Sequence, residues 1–218
     1  MTIKTITFIR HGQSVANAGG VTMEHAAIPL SDLGERQAEH LATLLPEQVT
    51  EIWTSKFIRA HQTAAPYLRK VQRSAQIHPL VHEFDNFDPN IIAGMTGEER
   101  APLREAYWET ADPSLRMGGV AESFLDFESR VDAFLPVLQS MPDKTLVFGH
   151  GMWIGLLIWK VMGFTARDQM GMKAFRRFQN GLPMPNCAVY HFTETAAEQW
   201  RFMADEGIMR KLAIVQIL

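Results

Sequence analysis

Cysteine is nearly absent from this sequence: Cys187 is the single one in 218 residues. An internal disulfide and any multi-cysteine metal site are thereby excluded, and a reducing compartment fits. A charge excess is missing too. Lys and Arg total 21 against 24 Asp and Glu, a net charge of −3, so binding of nucleic acid through bulk charge is not expected. Long apolar runs are also lacking. The most hydrophobic stretch, 145–164, contains His150 and Lys160, and its uncharged part ending at Trp159 is too short to span about 30 Å of hydrocarbon. The start, MTIKTITFIRHG, shows no small-residue cleavage site after its apolar run, so no export signal is read there. A cytoplasmic protein with neither a membrane nor a nucleic-acid partner is the expectation.

What is present has the periodicity of a layered α/β chain. Residues 3–9 are rich in Ile and Thr and stop abruptly at Arg10-His11-Gly12, which reads as a buried strand delivering polar residues at its C-terminal end. Leu33, Ala38, Leu41, Leu44 and Leu45 share a helical face, with Ser31 placed as N-cap and Pro46 closing the element. A short strand follows at 51–54. A helix is predicted over 57–70, where Pro66 should force a kink or a restart. Residues 76–81 read as a further strand, interrupted by Pro79.

Thr145–Phe148 is a short apolar strand running into a helix from Gly151 to Val161. Residues 188–192 and 200–203 read as late strands, and 208–218 as a last one. Alternating strands and helices predict an α/β fold with a largely parallel sheet, in one domain covering 1–218. Residues 84–143 break the alternation. They read as a mostly helical insertion over the C-terminal edge of the sheet.

Two segments place a histidine where such a sheet binds ligands. Arg10-His11-Gly12 ends the first strand, and Gly149-His150-Gly151 ends the strand from Thr145. Cation-capable side chains at a buried strand end are unfavourable unless paired. A third segment, Ser55-x-x-x-Arg59-Ala60-x-Gln62-Thr63, sets Arg59 in the first turn of a helix. Anions are attracted there, and an ordinary surface cation gains nothing. Gly149-x-Gly151-x-x-x-Gly155 is not a dinucleotide loop, since its spacing is wrong and His150 would occupy the pyrophosphate position. His78, His82, Glu83 and Asp85 invite a metal reading, which Pro79 weakens by disrupting the spacing. No cofactor and no metal are expected.

Weaker features have bland alternatives. Phe84, Phe87, Tyr107 and Trp108 would line a substrate pocket or pack the insertion. Lys173, Arg176 and Arg177 share a helix face, for which a solvated basic face is the preferred account. Asp126, Glu128 and Arg130 read as helix surface.

The order of these motifs resembles the histidine phosphatase superfamily. It comprises Arg10-His11-Gly12 with Ser14 and Asn17, Pro29-Leu30-Ser31-x-x-Gly34-x-x-Gln37-Ala38, the Ser55–Thr63 motif, the Glu83 region, Gly149-His150-Gly151 and Pro185-Asn186-Cys187-Ala188-Val189. The likeness covers most of the chain and fades at 84–117 and 164–184. Gly151 stands where the family's other large branch has Asp, so the phosphoglycerate-mutase-like branch is indicated.

That resemblance implies a three-layer α/β/α sandwich with His11 as nucleophile. Arg10, Arg59 and His150 would hold the phosphoryl oxygens, with Asn17 as a helper and Glu83 as general acid. Asp85 and His82 are its rivals for that proton. The implied activity is metal-independent hydrolysis of a small phosphate ester through a phosphohistidine, with inorganic phosphate or a similar anion in the site. The alternatives are a phosphoglycerate mutase and a non-catalytic phosphate-binding module. Mutases carry a patterned stretch after the acid residue that is not recognisable at 84–117. Neutral His11 is required for attack, and Arg10, Arg59 and a protonated His150 would each lower its pKa. The physiological substrate is not specified, and a homodimer is left open.

Overall fold

The computed structural model describes residues 4–21, 23–196 and 199–215. Six strands form one sheet: β1 (Thr5–Arg10), β2 (Ile52–Thr54), β3 (Gln76–Ile77), β4 (Thr145–Gly149), β5 (Val189–Ala196) and β6 (Gln199–Ala204), in the order β3-β2-β4-β1-β5-β6. The first four in that order are parallel, and β5 and β6 add an antiparallel flank. β1 and β4 are neighbours in a register that pairs Arg10 with Gly149. The two histidine segments therefore emerge side by side at one sheet edge.

Alternation along the strands separates two apolar layers. Ile6, Phe8 and Val147 face a core with Phe127, Val131, Phe134, Trp153 and Leu157. Ile9, Leu146 and Phe148 face the other side, against Leu41, Leu45, Tyr67 and Leu212. Helices thus cover both faces: α1 (Asp32–Leu44), α2 (Ile58–Val71) and α8 (Glu206–Ile214) on one, and α5 (Phe124–Ser140) and α6 (Gly151–Val161) on the other. This is the three-layer sandwich. Two shorter helices, α3 (Pro89–Ile92) and α4 (Ala101–Thr110), precede α5, and α7 (Gln169–Gly181) follows α6. Among the described residues no helix is long and apolar enough to cross a membrane.

Four expectations are corrected. Pro66 neither splits nor restarts α2, which runs unbroken from Ile58 to Val71. β3 stops at Ile77, before Pro79. Residues 206–214, read as strand, are helical: Asp205 accepts from the Ile208 N–H as N-cap, and Leu212 alone is buried; residues 216–218 lie outside the described residues. Finally, 84–143 divides in two. Phe127, Val131, Phe134 and Leu138 recur at helical spacing and pack on the sheet, so α5 is a layer helix and the insertion ends near Ser123. Within α5, Glu128 is fully buried, Arg130 is largely buried and Asp126 closes a capping box with Ser123, so these three are not a solvated face.

Close approach fixes the loop after β1. Ser31 caps α1 by accepting from the Gly34 N–H, and Gly34 lies against Gln13. A Cβ on Gly34 would stand 1.9 Å from the Gln13 carbonyl oxygen, and one on Gly12 would stand 2.7 Å from the Gly34 oxygen. Gly34→Ala is expected to destabilise the protein by about 1–3 kcal/mol through overpacking, against the sign of alanine's helix preference of about 1 kcal/mol. A lower urea midpoint would bear this out; an unchanged or higher midpoint would refute the close-packing account.

Candidate active site

His11 is fixed from both sides of its backbone. Its N–H donates to the Gly149 carbonyl at 3.0 Å, and its carbonyl accepts from the Cys187 N–H at 3.1 Å. The imidazole is 4% exposed. Nδ1 lies 2.6 Å from the Gly12 carbonyl. A carbonyl can only accept, so Nδ1 carries the proton and Nε2 keeps its lone pair. That lone pair accepts from Arg59 Nε at 3.2 Å.

Arg59 comes from the first turn of α2 and is itself aimed by two contacts. Its Nη1 donates to the His25 carbonyl at 2.7 Å, and its guanidinium lies 4.8 Å from the Phe57 ring centre. Arg10 donates to the Met184 carbonyl. Gly151 makes room for it, since a Cβ there would sit 3.2 Å from Arg10 Nε and 3.0 Å from the Met184 side chain. Burial lowers the pKa of both arginines, that of Arg59 to about 10. Both stay charged at neutral pH.

His150, fully buried, stands 5.2 Å from His11 between ring centres. Its Nε2 is 2.8 Å from Ser55 Oγ. Ser55 Oγ also accepts from the Phe57 N–H at 3.2 Å; its hydroxyl proton has His150 Nε2 as its one acceptor among the described residues, and satisfying that donor assigns the ring proton to Nδ1. Burial first, then the Arg59 and Arg10 charges, holds the His11 pKa well below its ordinary value. Burial, then Arg59, does the same to His150. Both imidazoles are therefore neutral, which corrects the expectation of a protonated His150. Arg10 Nε and His150 Nδ1 are buried without a hydrogen-bond partner among the described residues. Two orphaned donors beside two guanidiniums make a cradle for an anion.

Glu83 reaches the same place from the segment before the insertion. Its Oε1 accepts from the Trp153 and Phe84 N–H groups at 3.0 Å each, and its Oε2 from Met152 N–H at 3.1 Å. The carboxylate thus sits at the N-terminus of α6, where negative charge is favoured, and its charge acts on both Arg10 and Arg59. Asp85 Oδ1 lies 2.5 Å from His25 Nδ1, and its charge also acts on Arg59. His82 Nδ1 bonds the Pro79 carbonyl at 2.8 Å, and burial and Arg130 push its pKa down to about 4. His78 stacks on Trp53. The four residues read as a metal cluster thus go to separate partners, and no group of three potential ligands occurs among the described residues. Asn17 is exposed and closes the turn after His11: its Oδ1 accepts from Ser14 N–H at 3.3 Å and from Asn186 Nδ2 at 3.2 Å. Phe84, Phe87, Tyr107 and Trp108 are buried, and Phe84, Tyr107 and Trp108 belong to the core shared with α5 and α6.

Several supporting roles escaped sequence reasoning, those of Ser55 and Thr63 although both residues stand in the Arg59 motif. His25, Ser55 and Met184 orient Arg59, His150 and Arg10, and Thr63 Oγ1 accepts from Gly12 N–H at 2.9 Å. Arg130 matters most. Its guanidinium donates to the carbonyls of Leu80, His82 and Glu83 and bonds Glu122 through both oxygens at 2.8 Å. One side chain thus pins the chain on both sides of the insertion. Its position eight residues after Glu122, a spacing not met in a single helical turn, gave no signal.

Over residues 6–204 the chain matches the histidine phosphatase superfamily (branch 1). It belongs to that superfamily. An adenosylcobalamin/alpha-ribazole phosphatase of Escherichia coli K12 is 31% identical over 166 residues, covering 72% of this chain and 79% of that one. A probable phosphoglycerate mutase of Yersinia enterocolitica is 28% identical over 163 residues, covering 72% and 74%. Among solved structures, a mycobacterial glucosyl-3-phosphoglycerate phosphatase in complex with VO3 superposes with a TM-score of 0.71 at 22% identity, covering 92% of this chain and 98% of that one. The superfamily relatives thus include phosphatases and mutases alike.

The two neutral imidazoles make stability depend on pH. In the unfolded chain each titrates near its ordinary value of about 6.5, whereas in the folded protein His11 and His150 resist protonation. Below pH 6.5 the unfolded state binds protons that the folded state does not, so stability falls as pH falls. The loss should approach 1.4 kcal/mol per pH unit for each histidine, to about that scale. Urea unfolding between pH 7.5 and 5, in buffer free of phosphate and sulfate, tests this. Constant or rising stability on acidification would contradict neutral histidines.

Proposed function

We propose that this chain is a metal-independent phosphomonoesterase that hydrolyses a small phosphate ester through a phosphohistidine on His11. The observation that carries the reading is the His11 Nε2 lone pair, held neutral and directed into a cradle of two buried guanidiniums. A binding site needs cations but no such lone pair, which argues against a non-catalytic module. The phosphatase relatives, and the vanadate complex of the mycobacterial one, support the same chemistry.

Phosphoryl transfer needs positioning and charge stabilisation above all. In the first step the Arg59 Nε–H turns from His11 Nε2 to a phosphoryl oxygen, the freed lone pair attacks phosphorus, and the bond from phosphorus to the ester oxygen breaks. Arg10 Nε, Arg59 Nε and His150 Nδ1–H hold the equatorial oxygens, and Asn17 keeps the turn around them. These groups supply the charge that a divalent ion would otherwise contribute. The ester, bound as its monoanion, passes its proton to the Glu83 carboxylate, which gives it to the departing alkoxide. We assign Oε2 to this transfer, because it has one backbone donor against two on Oε1. In the second step the Glu83 carboxylate takes a proton from water, the water oxygen attacks phosphorus, and the P–N bond breaks to release inorganic phosphate. His82 is a poor rival as an acid, being unprotonated near neutral pH, and Asp85 lies against His25 with no backbone donor on it, among the described residues, of the kind that fixes Glu83.

The mutase reading rests on relatives such as the Yersinia protein. Release of free phosphate from an aryl phosphate, set against 3- to 2-phosphoglycerate interconversion, separates the two.

Labelled substrate should leave acid-labile, base-stable label on His11, to the same extent with excess chelator present. His11→Ala should lose both label and turnover. Label persisting on that variant, or disappearing with the chelator, would overturn the phosphohistidine or its metal independence.

Glu83→Gln should slow hydrolysis of an alkyl phosphate about a hundredfold or more, the usual scale for a general acid, and affect a nitrophenyl phosphate far less. The nitrophenolate leaves without a proton. Equal slowing of both substrates would make Glu83 an electrostatic support and return the proton to Asp85 or another group.

A further inference from the structure

A row of cations runs away from the His11 loop along the insertion. Arg100 is the N-cap of α4, and Arg104 and Trp108 follow it at steps of four residues, so the three run along one side of the helix. Arg176, from α7, lies over the Trp108 ring with its guanidinium carbon 4.8 Å from the ring centre. The near end of the row touches the site loop. The Cβ direction of Gly97 meets Arg100 Nη2 at 3.9 Å, Ala16 O at 3.9 Å and Gly19 Cα at 3.7 Å, so Arg100 adjoins the turn that contains Asn17.

This arrangement is unfavourable as it stands. Like charges at i and i+4 repel, and partial burial adds to the penalty. Burial, and after it the Arg104 charge, lowers the pKa of both Arg100 and Arg176. Among the described residues none of Arg100, Arg104 and Arg176 has a carboxylate within ion-pairing distance; Arg69, Arg116, Arg130, Arg167 and Arg210 each have one, and Arg36, Arg73, Arg177 and Arg201 do not. Glu99, adjacent in sequence, is turned back onto Thr96. The polar contacts of the row are few. Arg100 Nε bonds the Thr96 carbonyl at 3.2 Å, and Arg176 Nη1 bonds Gln179 Oε1 at 2.5 Å. A guanidinium stacked on an indole keeps its edge N–H groups available, in a plane suited to a carboxylate or phosphate. Lys173 and Arg177, on the same helix, are exposed and answer to the solvated basic face.

We propose that Arg100, Arg104 and Arg176 form a second anion subsite that holds a remote acidic group of the substrate. The substrate class is then a phosphate ester carrying a carboxylate or a second phosphate-like group on the alcohol it releases. This rests on the phosphatase reading above and narrows it. The row supplies affinity and orientation; it takes no part in bond breaking.

The test uses ω-carboxyalkyl phosphates of increasing chain length, the matching ω-phosphonoalkyl phosphates, and the uncharged carboxamides as reference. At the best chain length one acidic series should exceed the carboxamide at least tenfold in kcat/KM at low salt, chiefly through KM. The advantage should shrink as salt is added. Which series wins identifies the acidic group. Arg104→Gln and Arg176→Gln, each checked for an unchanged circular dichroism spectrum, should lower turnover of the acidic substrates at least tenfold more than that of the carboxamide. Acidic substrates within twofold of the carboxamide at every length would overturn the subsite, and so would a preference surviving in the double variant. If no member of any series is hydrolysed, the phosphatase reading fails. Calorimetry of the same compounds on His11→Ala then still decides the subsite, by tighter binding of the acidic over the amide compound or by equal binding.

Discussion

Two guanidiniums and two imidazoles share a space that water barely reaches, and the need to hold positive charge there shapes much of the molecule. Arg10 and Arg59 repel one another, and each loses solvation. What offsets this is spread over distant parts of the chain: a carbonyl from Met184, a carbonyl from His25, and the Glu83 carboxylate placed between the start of α6 and the cations. The histidines meet the same constraint by staying neutral. Ser55 and the Gly12 carbonyl then decide which ring nitrogen carries each proton. A neutral Nε2 beside two cations is a nucleophile for a phosphoryl group in our reading, and its electrostatic setting is inseparable from how the sheet edge folds.

The sheet edge was legible because its signals are local. A strand that stops at Arg10-His11-Gly12 and another that stops at Gly149-His150-Gly151 declare themselves through apolar runs of the right length and abrupt polar ends. Parallel pairing then brings the two together in register. Arg59 could be read from its place in a helix's first turn. Ser31 was equally plain as a cap.

Legibility ended where a residue's role is set by partners remote in sequence. Arg130 and Glu128 sit on a helix whose polar residues look solvated, yet one binds carbonyls some fifty residues earlier and the other bonds Lys160 and the Ala166 N–H. The restart that was one of two outcomes expected at Pro66 does not occur: α2 continues through it, with Ala64 and Tyr67 beside it in the core. The 206–214 segment has enough apolar residues for a strand, and Asp205 settles it as helix by capping. His25 has no motif at all. Its carbonyl and ring become significant once Arg59 and Asp85 arrive beside it.

The clamp made by Arg130 has a consequence for how such a protein can change. Because Glu83 and Glu122 are bound by the same side chain, and Glu122 N–H also bonds the Asp85 carbonyl at 2.8 Å, the intervening segment leaves and rejoins the scaffold at nearly one point. The entropy of closing that loop grows only slowly with its length. Segments of other sizes can therefore join those ends at little entropic cost, provided that they replace the core packing that Phe84, Tyr107 and Trp108 supply against Phe127, Phe124 and Arg176. Change in the length of the segment between Glu83 and Glu122 is thus taken up at the clamp, and the edge formed by β1 and β4 keeps its register.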